Sequence, residues 1–478
     1  MTNNQARPGL PLDLDRDTIA ELGRHAVDFM ADRIGELESA PASDYRQAEQ
    51  LAALLLRPPG DDPGDFRELL ETFRQAAGQG VNTAGPGYLA YFPAGGLVSS
   101  VLAEMLAQAA NRFTGVAQTA PALVAMEQSV LAWSCELFGL PAGAGGVVTT
   151  GASLATLSAL VAARHDRLGD DARDGTLYVT EHTHLSVAKA ARIAGLPADR
   201  VRVVPATAGL RMDAGAAAEL IAADRAAGLR PFLLAGTAGT TSTGTVDPLP
   251  ELARLARTEG LWFHVDAAYG GGFQLTARGR ARLAGIEQAD SIAFDPHKSL
   301  FMPYGTGVLL VRDPAVLHAA HAADGQYLQD LDRVADLPDF GHLGAELTRE
   351  FRGLRLWLPL HLHGVRAFAE ALEEKLDLAA LVHRELGRDP RVELPWEPDL
   401  SVVVFRVRGG DEANRDLLAR INATRRIYLS STSVGGRFYL RLCVLSVRTR
   451  ASHVHEALRI IRAAVDQHIW SNTETSAR

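Results

Sequence analysis

The sequence predicts an α/β protein with a mostly parallel central sheet, an N-terminal helical segment before it and a smaller α+β domain after it. Three observations carry that prediction. Seven apolar runs of strand length alternate with Ala- and Leu-rich helical stretches between residues 146 and 311. The runs are apolar at successive positions, so both faces of each strand are covered, as in sheets flanked by helices on both sides. On either side of this block the pattern changes, to Pro-interrupted helices before it and to mixed helices and strands after it.

Taken in order, residues 1–16 read as a loose arm. From Thr18 the apolar positions Ile19, Leu22, Val27, Met30, Ile34 and Leu37 recur at helical spacing, with Asp17 as the expected N-cap. A proline-rich break, Arg57–Gly64, precedes a second helix over Asp65–Ala77. Residues 1–95 therefore form a helical segment with no evident sheet and little core of its own. It is expected to pack on another subunit. The strands are expected at Gly146–Thr149, Thr176–Val179, Val201–Val204, Pro231–Ala235, Leu261–Val265, Ser291–Phe294 and Gly307–Val311, within a large domain spanning 96–353. A small domain over 354–478 is expected to contain helices at Leu354–Leu376 and Ala379–Leu386, strands at Leu400–Arg406 and Phe438–Leu442, and a closing helix near His453–His468. No internal repeat or low-complexity stretch interrupts this order.

Composition narrows the function. The 478 residues include 48 basic and 57 acidic side chains, a formal charge of −9, which argues against nucleic acid as the main partner. Two cysteines, Cys135 and Cys443, cannot staple so long a chain and read as small core residues. No apolar signal core opens the sequence, and no stretch approaches the roughly 20 apolar residues of a membrane span. The expectation is a cytoplasmic enzyme.

In parallel sheets ligands bind beyond the carboxyl ends of the strands. Three candidates fall there. Lys298 follows the run Ser291–Phe294, Asp266 ends the run before it, and Gly151-Ala152-Ser153 follows the first strand. An amine and a carboxylate on successive strand ends are the two charges that pyridoxal 5'-phosphate requires. The amine bonds to the aldehyde, and the carboxylate keeps the pyridine nitrogen protonated so that the ring accepts an electron pair. The small residues 151–153 open a helix, where backbone N–H groups and the helix dipole suit a phosphate; an ordinary strand-to-helix turn capped by Ser153 is the plainer reading. His184, after the second strand, is placed to lie on a cofactor ring. His182 and His184 share one side of an extended segment, but no cysteine pair or carboxylate cluster completes a metal site, so none is expected. His297 is positioned to orient phosphate or ring, and Ala268 leaves room for the ring. His361 and His363 read as helix-surface or core residues.

His264-Val-Asp-Ala-Ala-Tyr-Gly-Gly271 and Asp295-Pro-His-Lys298 resemble the group II pyridoxal-phosphate amino-acid decarboxylases, which include aromatic-amino-acid decarboxylase. The resemblance continues in order through Tyr91-Phe-Pro93, Pro121–Glu127, Gly151-Ala-Ser153, His184, Gly239-Thr-Thr241, Phe351–Trp357 and Tyr439-Leu-Arg441. It implies pyridoxal-phosphate fold type I, like aspartate aminotransferase, in a homodimer with active sites at the subunit interface. It further implies that Lys298 bonds the cofactor and Asp266 pairs with the pyridine nitrogen. His184 would stack on the ring, Ala152 and Ser153 would hold phosphate, and Thr241 would lie beside the cofactor. Arg441 would anchor anionic groups from the small domain. The implied reaction is decarboxylation of an L-amino acid to its amine, aromatic amino acids being among the candidate substrates.

The chain also departs from that family. A loop tyrosine of the family protonates the substrate carbon or supports its protonation. Counting back from Leu347–Arg352, its place falls on Phe340, which has no hydroxyl. Tyr327, His342 and His184 are then the candidate donors. In related plant enzymes the same Tyr-to-Phe difference accompanies O2-dependent aldehyde formation, which is the second reading. If the counting is off by a few positions, Tyr327 is the loop tyrosine. Ser299 replaces a tryptophan after the lysine. The expected substrate pocket comprises Tyr91, Phe92, Phe113, Gly115, Tyr304 and Arg441. In it Ala94, Gly115 and Ala117 stand where relatives carry threonine, phenylalanine and tryptophan. A catalytically silent cofactor-binding protein is a third reading, and an aminotransferase a fourth.

Overall fold

The structure is a computed structural model; it describes residues 10–323, 334 and 336–475, with side chains as far as Gln467. Asp15, not Asp17, caps the first helix, Arg16–Glu36, its carboxylate accepting the Thr18 N–H at 2.8 Å. Asp17 instead lies in the first turn, where a negative charge suits the helix dipole. Asp65 caps the helix Phe66–Ala77 through the N–H groups of Arg67 and Glu68. A further helix, Ala48–Leu55, and a two-residue antiparallel ladder of β1 (Ser43–Asp44) with β2 (Gly80–Val81) also form there, the latter a small exception to the expected lack of sheet. Helix Arg16–Glu36 buries no side chain within the protomer, and Ile19 and Val27 are exposed.

All seven strands of the large sheet form: β3 (Gly145–Thr149), β4 (Gly175–Thr180), β5 (Val201–Val204), β6 (Arg230–Thr237), β7 (Trp262–Asp266), β8 (Ser291–Phe294) and β9 (Gly307–Val311). Their order is β3-β9-β8-β7-β6-β4-β5. Every pairing is parallel except the two made by β9, which runs against both neighbours. Strands β4, β7, β8 and β9 are buried at every residue, which is why they read as unbroken apolar runs rather than alternating ones. The carboxyl ends of β3, β6, β7 and β8 therefore share one rim.

Beyond this sheet the helix expected over Leu354–Leu376 breaks early. It forms as Leu354–His363 and Val365–Leu386, parted at Gly364, whose φ of +73° suits glycine. The small sheet has the order β10-β11-β13-β12, all antiparallel, with β10 (Val392–Glu393), β11 (Val402–Val407), β12 (Ser430–Val434) and β13 (Arg437–Cys443). Residues 88–89 join its edge: the Leu89 N–H donates to the Tyr428 carbonyl, and the Cys443 N–H to the Leu89 carbonyl. Cys135 and Cys443 are free and buried; burial pushes their thiols up to about 12 and about 11. Among the described residues no helix is long and apolar enough to cross a membrane.

Candidate active site

A cleft opens on the rim of strand ends. It is lined by Ala152 and Ser153 at a helix N-terminus, His184, Thr237, Thr241, Asp266, Ala268, Asp295, Lys298, Phe92 and Tyr269 among others. Residues from six separate stretches of the chain meet there, five of them at or after the carboxyl ends of β3, β4, β6, β7 and β8, and the sixth the segment that carries Phe92.

Asp266 is the last residue of β7, and its Oδ1 accepts the Ala268 N–H at 3.0 Å, which fixes the carboxylate at the strand end. Lys298 stands on the single helical turn Pro296–Ser299 after β8. Its ammonium lies 2.9 Å from Asp295 Oδ2 and 5.7 Å from the centre of the Phe92 ring. Gly151 precedes the helix Ala152–Leu168, whose first amide, Ala152 N–H, donates to Asp295 Oδ1 at 2.7 Å.

His184 caps the helix Leu185–Ile193. The Ser186 N–H donates to Nδ1 at 3.2 Å, and Ser186 Oγ lies 2.8 Å from the same nitrogen. A nitrogen that accepts a backbone N–H carries no proton, so the neutral ring bears its hydrogen on Nε2. Burial holds this imidazole below its ordinary pKa and Lys298 adds to that, while Asp266 and Asp295 oppose. His297, also buried, donates from Nδ1 to the Thr306 carbonyl at 2.7 Å, since a carbonyl can only accept.

The substrate-pocket expectations divide. Phe92 lines the cleft, stacked on Tyr269 at 4.1 Å between ring centres. The Arg441 guanidinium sits 4.6 Å from the Phe92 ring centre, donates to the Tyr91 and Thr241 carbonyls, and leaves Nη2 buried without a partner among the described residues. Tyr91 and Tyr304 do not line the cleft; both rings are exposed on the protomer surface. Tyr91 holds a φ of +44°, an unusual backbone for a bulky residue and one kept only where surroundings enforce it. Phe113 and Gly115 also lie outside the cleft. A Cβ on Gly115 would stand 2.4 Å from the Phe113 ring, so glycine here makes room for that ring. Ser299 faces away from the cleft, its buried hydroxyl accepting the Gly272 N–H.

Phe340 stands at the position that the resemblance gives to the loop tyrosine. It lies in the helical turn Phe340–His342, is 1% exposed, and does not line the cleft. Arg349 covers its face at 4.9 Å, and the Arg349 guanidinium in turn binds Glu127 at 2.6 Å and the Val148 carbonyl at 3.0 Å. The ring is thus core packing beneath a buried ion pair. Tyr327 lies outside the described residues. His342 stands away from the cleft, its ring against His318.

Asp295, Thr237, Ser186 and Tyr269 are cleft residues for which the sequence indicated no role. The Thr237 hydroxyl is buried without a partner and so is open to a bound group. With an amine, a carboxylate, a helix N-terminus and this orphaned hydroxyl on one cleft, the residues present fit pyridoxal phosphate. Among the described residues no group of His, Cys, Asp and Glu is arranged to hold a metal ion.

Known proteins agree with that fit. The family model described as the pyridoxal-dependent decarboxylase conserved domain matches residues 49–408. An aromatic-L-amino-acid decarboxylase of Bacillus atrophaeus is 31% identical over 95% of this chain and 97% of its own length. A phenylacetaldehyde synthase of Arabidopsis thaliana is 30% identical over 94% of this chain and 96% of its own. The solved structure of the Oryza sativa enzyme TDC with pyridoxal phosphate and tryptamine superposes with a TM-score of 0.91 at 30% identity, covering 96% of this chain and 99% of that one.

Proposed function

The chain belongs to the pyridoxal-dependent decarboxylases, with pyridoxal 5'-phosphate as cofactor, and on that premise we propose that it converts an L-amino acid to the corresponding amine and CO2. The observation that carries the proposal is the pairing of Lys298 and Asp266 in one cleft, at the ends of neighbouring strands. When bound, the cofactor supplies an electron sink for the pair left behind as the carboxylate departs.

The chain's own residues do the rest. Lys298, which contacts Asp295, would supply the amine that tethers the cofactor and would be exchanged for the substrate amine. Asp266 holds a proton at the pyridine nitrogen, which keeps the sink effective. His184 would pack on the ring as a neutral imidazole whose tautomer Ser186 sets, its Nε2–H left as a hydrogen-bond donor; it would serve as proton donor to the substrate α-carbon only after gaining a second proton. The backbone from Gly151 to Ser153 takes the phosphate, with His297 beside it. Thr241 and Ala268 bound the ring. Arg441, with one unpartnered nitrogen, takes an anionic group of the substrate.

We further propose a homodimer. The helix Arg16–Glu36 and the exposed Val101 and Met105 leave an apolar groove on the protomer. Tyr91, Tyr304 and Phe113, exposed here, would complete the site at the subunit boundary. The proposal is tested by incubating the loaded protein with a panel of amino acids and measuring CO2, amine, aldehyde, ammonia and peroxide. Amine and CO2 in equal amounts support it. Aldehyde, ammonia and peroxide without amine would instead establish the chemistry named for the phenylacetaldehyde synthase relative.

A further inference from the structure

Asp295 stands where a phosphate is expected. Its carboxylate is 3% exposed and accepts the Ala152 N–H at 2.7 Å, the first amide of the helix that the proposed function gives to the cofactor's phosphate. Its other oxygen binds the Lys298 ammonium at 2.9 Å. Both groups that satisfy this carboxylate are claimed when the cofactor enters: the amide by the phosphate, the amine by the aldehyde. A buried carboxylate left beside a phosphate dianion is strongly disfavoured in its charged form.

A place for a compensating proton is already present. His297 Nε2 lies 3.6 Å from Asp295 Oδ2. Because Nδ1 donates to the Thr306 carbonyl, the neutral ring carries a lone pair on Nε2. Two acceptors thus face each other, and one proton between them makes a charge-assisted hydrogen bond. The other charged groups at this pair are Lys298, which disfavours the proton, and Asp266 and His184 across the cleft.

We infer that Asp295 is a built-in competitor for the cofactor's phosphate, and that cofactor binding is coupled to uptake of one proton from solvent by the Asp295–His297 pair. The inference rests on the proposed placement of the phosphate at Ala152–Ser153. Neutralising Asp295 then removes both the competition and the proton.

The test uses the cofactor-free protein and measures pyridoxal phosphate binding at pH 8, where the phosphate is already a dianion. Affinity is read from absorbance, and the proton count from calorimetry in buffers of different ionisation enthalpy. Asp295→Asn is expected to bind pyridoxal phosphate at least about tenfold more tightly, the factor that one pKa unit of repulsion represents. It should take up up to about one proton fewer than the wild type, while pyridoxal, which lacks the phosphate, gains little. Ser153→Ala is expected to weaken pyridoxal phosphate and leave pyridoxal unchanged. No tightening in Asp295→Asn overturns the inference, as does a proton count equal to the wild type's, and so does an equal gain for pyridoxal, which would trace the effect to Lys298 alone. Absence of proton uptake by the wild type overturns it without any variant. An inert Ser153→Ala with a tighter Asp295→Asn overturns the phosphate placement, and the inference with it.

Discussion

The Lys298 ammonium and the Asp295 carboxylate, 2.9 Å apart on one helical turn, hold each other in the cleft. The lysine that the reaction needs therefore has a carboxylate partner three residues before it in the chain. Lys298→Ala is expected to abolish both the visible absorbance band of the bound cofactor and CO2 release. A band that survives in Lys298→Ala would mean the tether lies elsewhere.

Asp266 tests the electron sink separately. Asp266→Asn keeps the shape but cannot hold the pyridine nitrogen protonated. Turnover is expected to fall by roughly 10²–10⁴-fold, the range of a lost acid–base partner, with pyridoxal phosphate still bound. Single-turnover CO2 release on the loaded variant measures it.

Phe340→Tyr separates a core residue from a catalytic one. The ring lies under Arg349 and out of the cleft, so the ratio of amine to aldehyde is expected to stay at the wild-type value. Stability is expected to fall by about 1–3 kcal/mol, because the added hydroxyl enters a packed site without a partner. Product analysis and thermal unfolding read the two effects independently; a shift toward amine would return Phe340 to the reacting centre.

The ion pair above that ring has a larger expected effect. Arg349 and Glu127 are 1% and 0% exposed, and Arg349 Nε and Nη1 have no hydrogen-bond partner among the described residues. Glu127→Gln leaves the guanidinium buried without its counter-charge, at a cost of about 3–5 kcal/mol in unfolding free energy. Denaturant titration measures it.

Acid sensitivity follows from the buried histidines. His264, two residues before Asp266 along β7, is fully buried, and burial pushes its imidazole down to about 4. A histidine depressed in the folded state takes up its proton more readily when unfolded. The stability it contributes is fully present above the unfolded value near 6.5 and is lost as pH falls toward about 4. The loss amounts to roughly 3 kcal/mol by the lower end of that window. His184, His297 and His321, also held down chiefly by burial, act in the same direction. Melting temperatures of the wild type and His264→Gln between pH 4 and 7 test this, the variant having the shallower slope.

Much of this was legible before the structure. The seven strands could be read because burial on both faces forces apolar side chains at successive positions, and Lys298 and Asp266 stood out because strand ends are where such sheets bind ligands. Strand β12 could not be read: Ser-Ser-Thr-Ser-Val is an edge sequence with one face half exposed, and it carries no apolar run. The first N-cap was misplaced by two residues because Asp15 and Asp17 are equally good caps in sequence, and only the Thr18 N–H distinguishes them. Asp295 was passed over because an acid after a strand reads as a turn residue; its value lies in contacts to Ala152 and Lys298, 143 residues and three residues away along the chain. That Phe340 is buried could not be read either, because counting along a loop says nothing of burial.

The most direct test of the central claim is a quantitative product balance on the loaded protein over the amino-acid panel, run beside Lys298→Ala. The account predicts that at least one L-amino acid yields CO2 and its amine in equal amounts, and that the variant yields neither. Keto acid with an aminated cofactor as the main products, or no CO2 from any amino acid despite a bound cofactor, would contradict it.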